Sequence, residues 1–233
     1  MTINLVDGLK WYMVFLFSTT LHEAAHAWTA LKLGDDTAYR GGQVTLDPTP
    51  HIKREPLGMV AVPILSYFLG GWMIGWASTP YNPQWALHNP RRSAWMSLAG
   101  PGANLLLVLL AALAIRMGMV FHVFEAPARI GFSRVTVSGA SDIFIFLAKM
   151  LSILFSLNLL LCTFNLMPLP PLDGSGLILF FTGSASSEKY LSFMRHPTLN
   201  YVGLMIAWRM FDVIYPPVHL FAVNVLYPGM GYR

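Results

Sequence analysis

Five runs of mostly apolar residues, at about 9–33, 57–78, 94–118, 143–167 and 198–227, dominate this 233-residue chain. Each reaches the roughly 20 residues that a helix needs to cross a bilayer. Within lipid, a segment must satisfy its own backbone hydrogen bonds, which helices do. The expected fold class is therefore an all-α polytopic membrane protein. Composition supports this: 55% of residues are hydrophobic, 11% are charged and the mean hydropathy is +0.54, too little charge for a water-facing surface. The net charge of +4 comes from scattered Lys and Arg rather than a basic run, so the bilayer is an expected partner and nucleic acid is not. A single cysteine, Cys162, excludes an intramolecular disulfide and a Cys-rich metal site, leaving His and carboxylates as the ligands for any metal.

A shorter apolar run at 175–182 leaves the count at five to six transmembrane segments. The second run contains Pro63 and the pair Gly70-Gly71, so it either crosses or folds back as a re-entrant element. Between the first two runs, "RGGQVTLDPTPHIKREP" (40–56) combines glycines, a brief alternation and prolines, which predicts a small β-hairpin at the membrane face. Pro216-Pro217 should break or kink the last run. With no repeat or appended soluble domain read, residues 1–233 are expected to form one domain, and the N-terminal run is read as a retained span rather than a cleaved signal. Lys32, Arg40, Lys53 and Arg54 follow that span and only Lys10 lies near its start. The positive-inside rule then predicts a multi-pass protein of the cell membrane with a cytoplasmic 34–56 loop.

The first span contains "HEAAH". His22 and His26 are four residues apart, so on a helix they share one face and can hold one zinc, while Glu23 on an adjacent face can reach an attacking water. Ionisable groups at membrane depth are costly and are retained for function. The cluster lies in the later half of the span, which places it nearer the cytoplasmic side. A hydrolytic zinc needs a third protein ligand, and Asp173 in "FNLMPLPPLDGSG" (164–176) is the best candidate, because the surrounding prolines and glycines prevent a continuous helix beside it. The alternative for Asp173 is a helix cap. Asn104 in "SLAGPGANLLL" (97–107) and Asn165 are possible contacts to the substrate backbone or oxyanion, with helix packing as the plain alternative. Gly42, Gln43 and Val44 form a possible strand edge for an unwound substrate.

With "HEAAH", "AGPGAN" and "NLMPLPPLDG" in this order, the chain resembles the site-2 protease family of intramembrane zinc metalloproteases, over nearly its whole length. The resemblance implies His22, His26 and Asp173 as ligands of one zinc per chain and Glu23 as the catalytic acid/base. It also implies membrane-anchored protein substrates cut within or near their transmembrane helices in regulated intramembrane proteolysis. "GWASTPYNP" (75–83) is similar to the "GWAKPVPVNP" stretch of a compact bacterial branch, but Ser78 replaces the usual lysine and Tyr81 interrupts the pattern, so no catalytic role is assigned there. No inserted PDZ or C-terminal CBS domain is visible. The rival reading is a non-proteolytic membrane metal-binding or transport protein, which would have no need of Glu23. A zincin of the CaaX type is disfavoured because it completes its site with Glu or His.

Overall fold

The structure, a computed structural model, describes residues 4–182, 184–194 and 196–233. Helix α1 (Leu5–Leu33) starts where the Asn4 side chain accepts hydrogen bonds from the Val6 and Asp7 amides, and stops at Gly34, whose φ of 104° is a left-handed cap. Two short helices follow, α2 (Thr37–Arg40) and α3 (Thr49–Arg54). A π-helical segment, Leu57–Ala61, runs into α4 (Val62–Gly70). Residues 71–82 then continue without regular structure to α5 (Pro83–His88). The long helices α6 (Pro90–Val120) and α7 (Asp142–Asn165) come next. A proline-rich turn leads to α8 (Asp173–Gly176), a 3-10 turn, α9 (Ser184–Met194) and α10 (Pro197–Leu226).

Helix α6 packs along both α1 and α7, and these three helices form the frame. One core joins Trp11, Val14 and Phe15 of α1 to Tyr67 of α4 and to Ile153 and Leu157 of α7. A second joins Val108, Ala111 and Ile115 of α6 to Phe155 of α7 and Val223 of α10. The opposite face of α6 is apolar and bare: Leu105, Leu106, Leu109, Leu110, Leu113 and Met117 are all exposed. Such a continuous apolar face fits lipid, and the protein belongs to the membrane.

Two sequence expectations fail. No strand occurs among the described residues, so the β-hairpin predicted over 40–56 is absent. Instead Gly41 and Gly42 close α2, the Gln43 amide donates back to the Ala38 carbonyl, and residues 44–46 are bends leading to α3. An alternation as brief as "QVTL" had no partner strand, and an isolated hairpin is marginal even with one. The count of five to six spans is also overturned: among the described residues only α6 and α7 are both long and apolar enough to cross a membrane. Helix α1 is long enough, but Asp7, Lys10, His22, Glu23, His26 and Lys32 lower its hydropathy. Similarly, α10 carries Asn200, Arg209, Asp212 and two internal prolines. The apolar stretch Leu57–Gly70 is too short.

Candidate metal centre

Along α1, residues 22, 23 and 26 lie on the buried side facing α6, where small residues allow close approach. Gly100 of α6 sits directly against the two imidazoles: a Cβ there would collide with Nε2 of both His22 and His26. From the other side the turn after α7 brings in Asp173. Gly174 packs against the Leu166 carbonyl and Gly176 against Ser97 of α6, contacts that larger residues would block. His22 Nε2 and His26 Nε2 are 3.0 Å apart, and Asp173 Oδ2 lies 3.1 Å from the former and 3.2 Å from the latter. Among the described residues, this is the group of His, Cys and carboxylate side chains placed to share a metal ion.

The far ring nitrogens determine where protons sit. His26 Nδ1 is 2.7 Å from the Met96 carbonyl, which can only accept, so this nitrogen carries the hydrogen. His22 is set by a longer relay. Asn158 Nδ2 donates to the Leu154 carbonyl at 2.8 Å and to Ser18 Oγ at 2.9 Å, leaving Asn158 Oδ1 as acceptor. Asn104 Nδ2 donates to that oxygen at 2.8 Å, so Asn104 Oδ1 accepts from His22 Nδ1 at 2.5 Å. With both Nδ1 atoms committed to acceptors on α6, the two Nε2 atoms and a carboxylate oxygen face one point. Two imidazole nitrogens and a carboxylate oxygen converging on one point suit a cation, and orienting each metal-binding imidazole through its other nitrogen is the usual supporting arrangement.

Glu23 stands outside this trio. It is buried, and Thr79 Oγ1 lies 2.8 Å from its Oε2 and 2.9 Å from its carbonyl oxygen. The sequence assigns no role to the motif containing Thr79. The signal available was Pro80, which favours an extended backbone at the preceding residue. Of the remaining predicted site residues, Asn104 is wholly buried with its amide engaged by His22 and Asn158. Asn165 ends α7, half-buried, with no side-chain hydrogen bond among the described residues. Gly42 and Val44 lie in the turn after α2, and Gln43 there is buried with neither amide atom hydrogen-bonded among the described residues.

Comparison with known proteins bears on this arrangement. The family described as Peptidase family M50 matches residues 11–210. Over 167 residues the chain is 33% identical to "Putative zinc metalloprotease YwhC" of Bacillus subtilis (strain 168), covering 71% of this chain and 66% of that protein. Over 160 residues it is 32% identical to "Putative zinc metalloprotease Rip2" of Mycobacterium tuberculosis (strain ATCC 25618 / H37Rv), covering 69% and 52% respectively. The protein of the same name in Mycolicibacterium smegmatis is 32% identical over 165 residues, covering 70% of this chain and 53% of the relative. The chain thus spans about two thirds of the length of the Bacillus relative and about half that of the mycobacterial ones. No solved structure matches. Because the family match extends from the middle of the first turns of α1 into α10 and includes every residue of the convergent trio, the chain belongs to peptidase family M50, the site-2 protease family.

Proposed function

We propose that this protein is a zinc-dependent endopeptidase that hydrolyses peptide bonds within or near the transmembrane helices of membrane-anchored proteins. The observation that carries this reading is the convergence of His22 Nε2, His26 Nε2 and Asp173 Oδ2, with both far nitrogens committed elsewhere. These three residues would hold one zinc ion. When bound, the metal acts as a Lewis acid toward the scissile carbonyl and lowers the pKa of water. Glu23 takes the proton from the attacking water and passes it to the leaving amide nitrogen. Asn104 keeps the His22 ring turned toward the centre, and the Met96 carbonyl does the same for His26.

Orientation follows from charge. Arg92 at the start of α6 donates to the Leu33 carbonyl at the end of α1, so these termini lie at one end of the frame. Lys32, Arg40, Lys53, Arg54 and Arg91 cluster in sequence around the same termini. The positive-inside rule puts that end in the cytoplasm, and the centre, built from the later half of α1 and the first half of α6, is nearer to it.

The test is zinc content together with cleavage of a transmembrane-helix reporter by detergent-purified protein. Glu23→Gln should keep its zinc and lose cleavage, whereas Asp173→Ala should bind zinc weakly. Cleavage surviving in Glu23→Gln would refute the proton-transfer role. A zinc-loaded wild type that cuts no membrane-anchored reporter would favour metal binding or transport.

A further inference from the structure

We infer that Thr79 is a positioning residue for Glu23, fixing the carboxylate in one rotamer beside the metal centre; this rests on the reading of Glu23 as the proton-transfer group. Glu23 has three rotatable side-chain bonds, and the helical backbone excludes one χ1 well but leaves the outer torsions open. Its carboxylate receives a hydrogen bond from Thr79 Oγ1 at 2.8 Å, and the same hydroxyl lies 2.9 Å from the Glu23 carbonyl oxygen. The hydroxyl has one hydrogen to give, and its place within reach of both the carboxylate and the carbonyl of the same residue keeps the side chain folded toward the strap.

The segment carrying Thr79 is irregular, yet it is tied down along its length. The Ile74 amide donates to Ser66 Oγ at 3.1 Å and the Trp76 amide to the Gly58 carbonyl at 3.2 Å. Close passage there depends on two glycines, since a Cβ on Gly58 would strike the Trp76 carbonyl and one on Gly75 the Gly58 carbonyl. Ser78 Oγ donates to Glu55 Oε1 at 2.5 Å and receives Arg54 Nε at 3.2 Å. Beyond Thr79, the Asn82 amide donates to the buried carboxylate of Asp35 at 2.7 Å. Thr79 is thus held between anchors on α3, on the π-helical turn and on the loop that ends α1. The segment functions as a strap whose one hydroxyl facing the site reaches Glu23.

Thr79→Val removes the hydroxyl while keeping the side-chain shape, and Thr79→Ser keeps it. Using full-length, zinc-loaded protein and the helix reporter, Thr79→Val should lower kcat by about 10- to 100-fold, the range expected when a reacting group is misplaced by about an ångström. KM and zinc content should stay near wild type, and Thr79→Ser should recover most of the rate. A second readout does not depend on turnover: labelling of Glu23 by a water-soluble carbodiimide with glycinamide, followed by mass spectrometry, should rise in Thr79→Val and stay low in Thr79→Ser. Wild-type kcat and labelling in Thr79→Val, with Glu23→Gln inactive, would overturn the inference. Equal loss of rate and zinc in both Thr79 variants would also overturn it, by marking a purely structural contact. Activity in Glu23→Gln would instead sink the underlying assignment of Glu23.

Discussion

Replacing Gly100 by alanine adds one methyl group at the most crowded point of the centre. A Cβ built there falls 2.5 Å from His22 Nε2 and 2.6 Å from His22 Cε1, and it clashes harder still with His26 Nε2. Ordinary contact begins near 3.4 Å, so something must yield by about 1 Å. If the imidazoles yield, they leave Asn104 Oδ1 and the Met96 carbonyl; if α6 yields, those same acceptors move away with it. Either way the donors shift by several times the ~0.2 Å tolerance of metal coordination. Overpacking of this kind costs about 1–3 kcal/mol of stability. Zinc affinity should fall by at least the ~100-fold at the upper end for losing an orienting partner. Gly102→Ala is the matched control: it is two residues along the same helix, nothing lies within 4 Å of its Cβ position, and alanine there should be neutral or stabilising by up to about 1 kcal/mol. The assay is a competitive zinc titration against a fluorescent chelator, with thermal melts before and after chelation. Chelation should lower the melting temperature of wild type and Gly102→Ala but barely alter Gly100→Ala. Wild-type zinc affinity in Gly100→Ala would refute the placement of α6 against the centre.

Asn104→Leu keeps the γ-branched skeleton but removes the acceptor for His22 Nδ1–H and leaves Asn158 Oδ1 without its donor. Zinc affinity should drop about 10- to 100-fold in the same titration, and unchanged affinity would detach the relay from the centre. Leu109, 59% exposed on the bare face of α6, tests the lipid assignment. Leu109→Asp should impair membrane insertion by about 2.5–3.5 kcal/mol, measured with a glycosylation-based insertion reporter, whereas improved yield in the soluble fraction would show that this face meets water.

The residues of the centre were far more legible in the sequence than its supports. His22, Glu23 and His26 are defined by local helical spacing, which survives any tertiary arrangement. Asp173 approaches from 147 residues away, and its signature was a turn too rich in proline and glycine to be ordinary helix. The partners were hidden because their roles depend on helix packing: nothing in "AGPGAN" says that Asn104 faces α1 rather than a substrate, or that Gly100 abuts the imidazoles. Thr79 was overlooked because its segment has neither period nor regular structure. The span count failed for a related reason. Runs of apolar letters treat the first segment as a membrane helix, although its ionisable groups lower its hydropathy below that of α6 and α7.

That tension in α1 explains the layout of the frame. Two imidazoles and a carboxylate cannot be left unpartnered among apolar neighbours, and α6 encloses the polar side of α1 on one face while the Asp173 turn completes the other. Enclosure brings three electron-rich atoms to within 3.2 Å of one another, an arrangement that repels itself unless a cation or protons intervene. On the proposed reading metal binding and stability are coupled: a bound ion would also relieve the repulsion created by building the centre. Glu23, one residue from a member of that trio, stays out of it because Thr79 draws its carboxylate toward the strap. On the same reading one turn of helix supplies both metal donors and a free base, with the separation maintained by a residue 56 positions away in sequence.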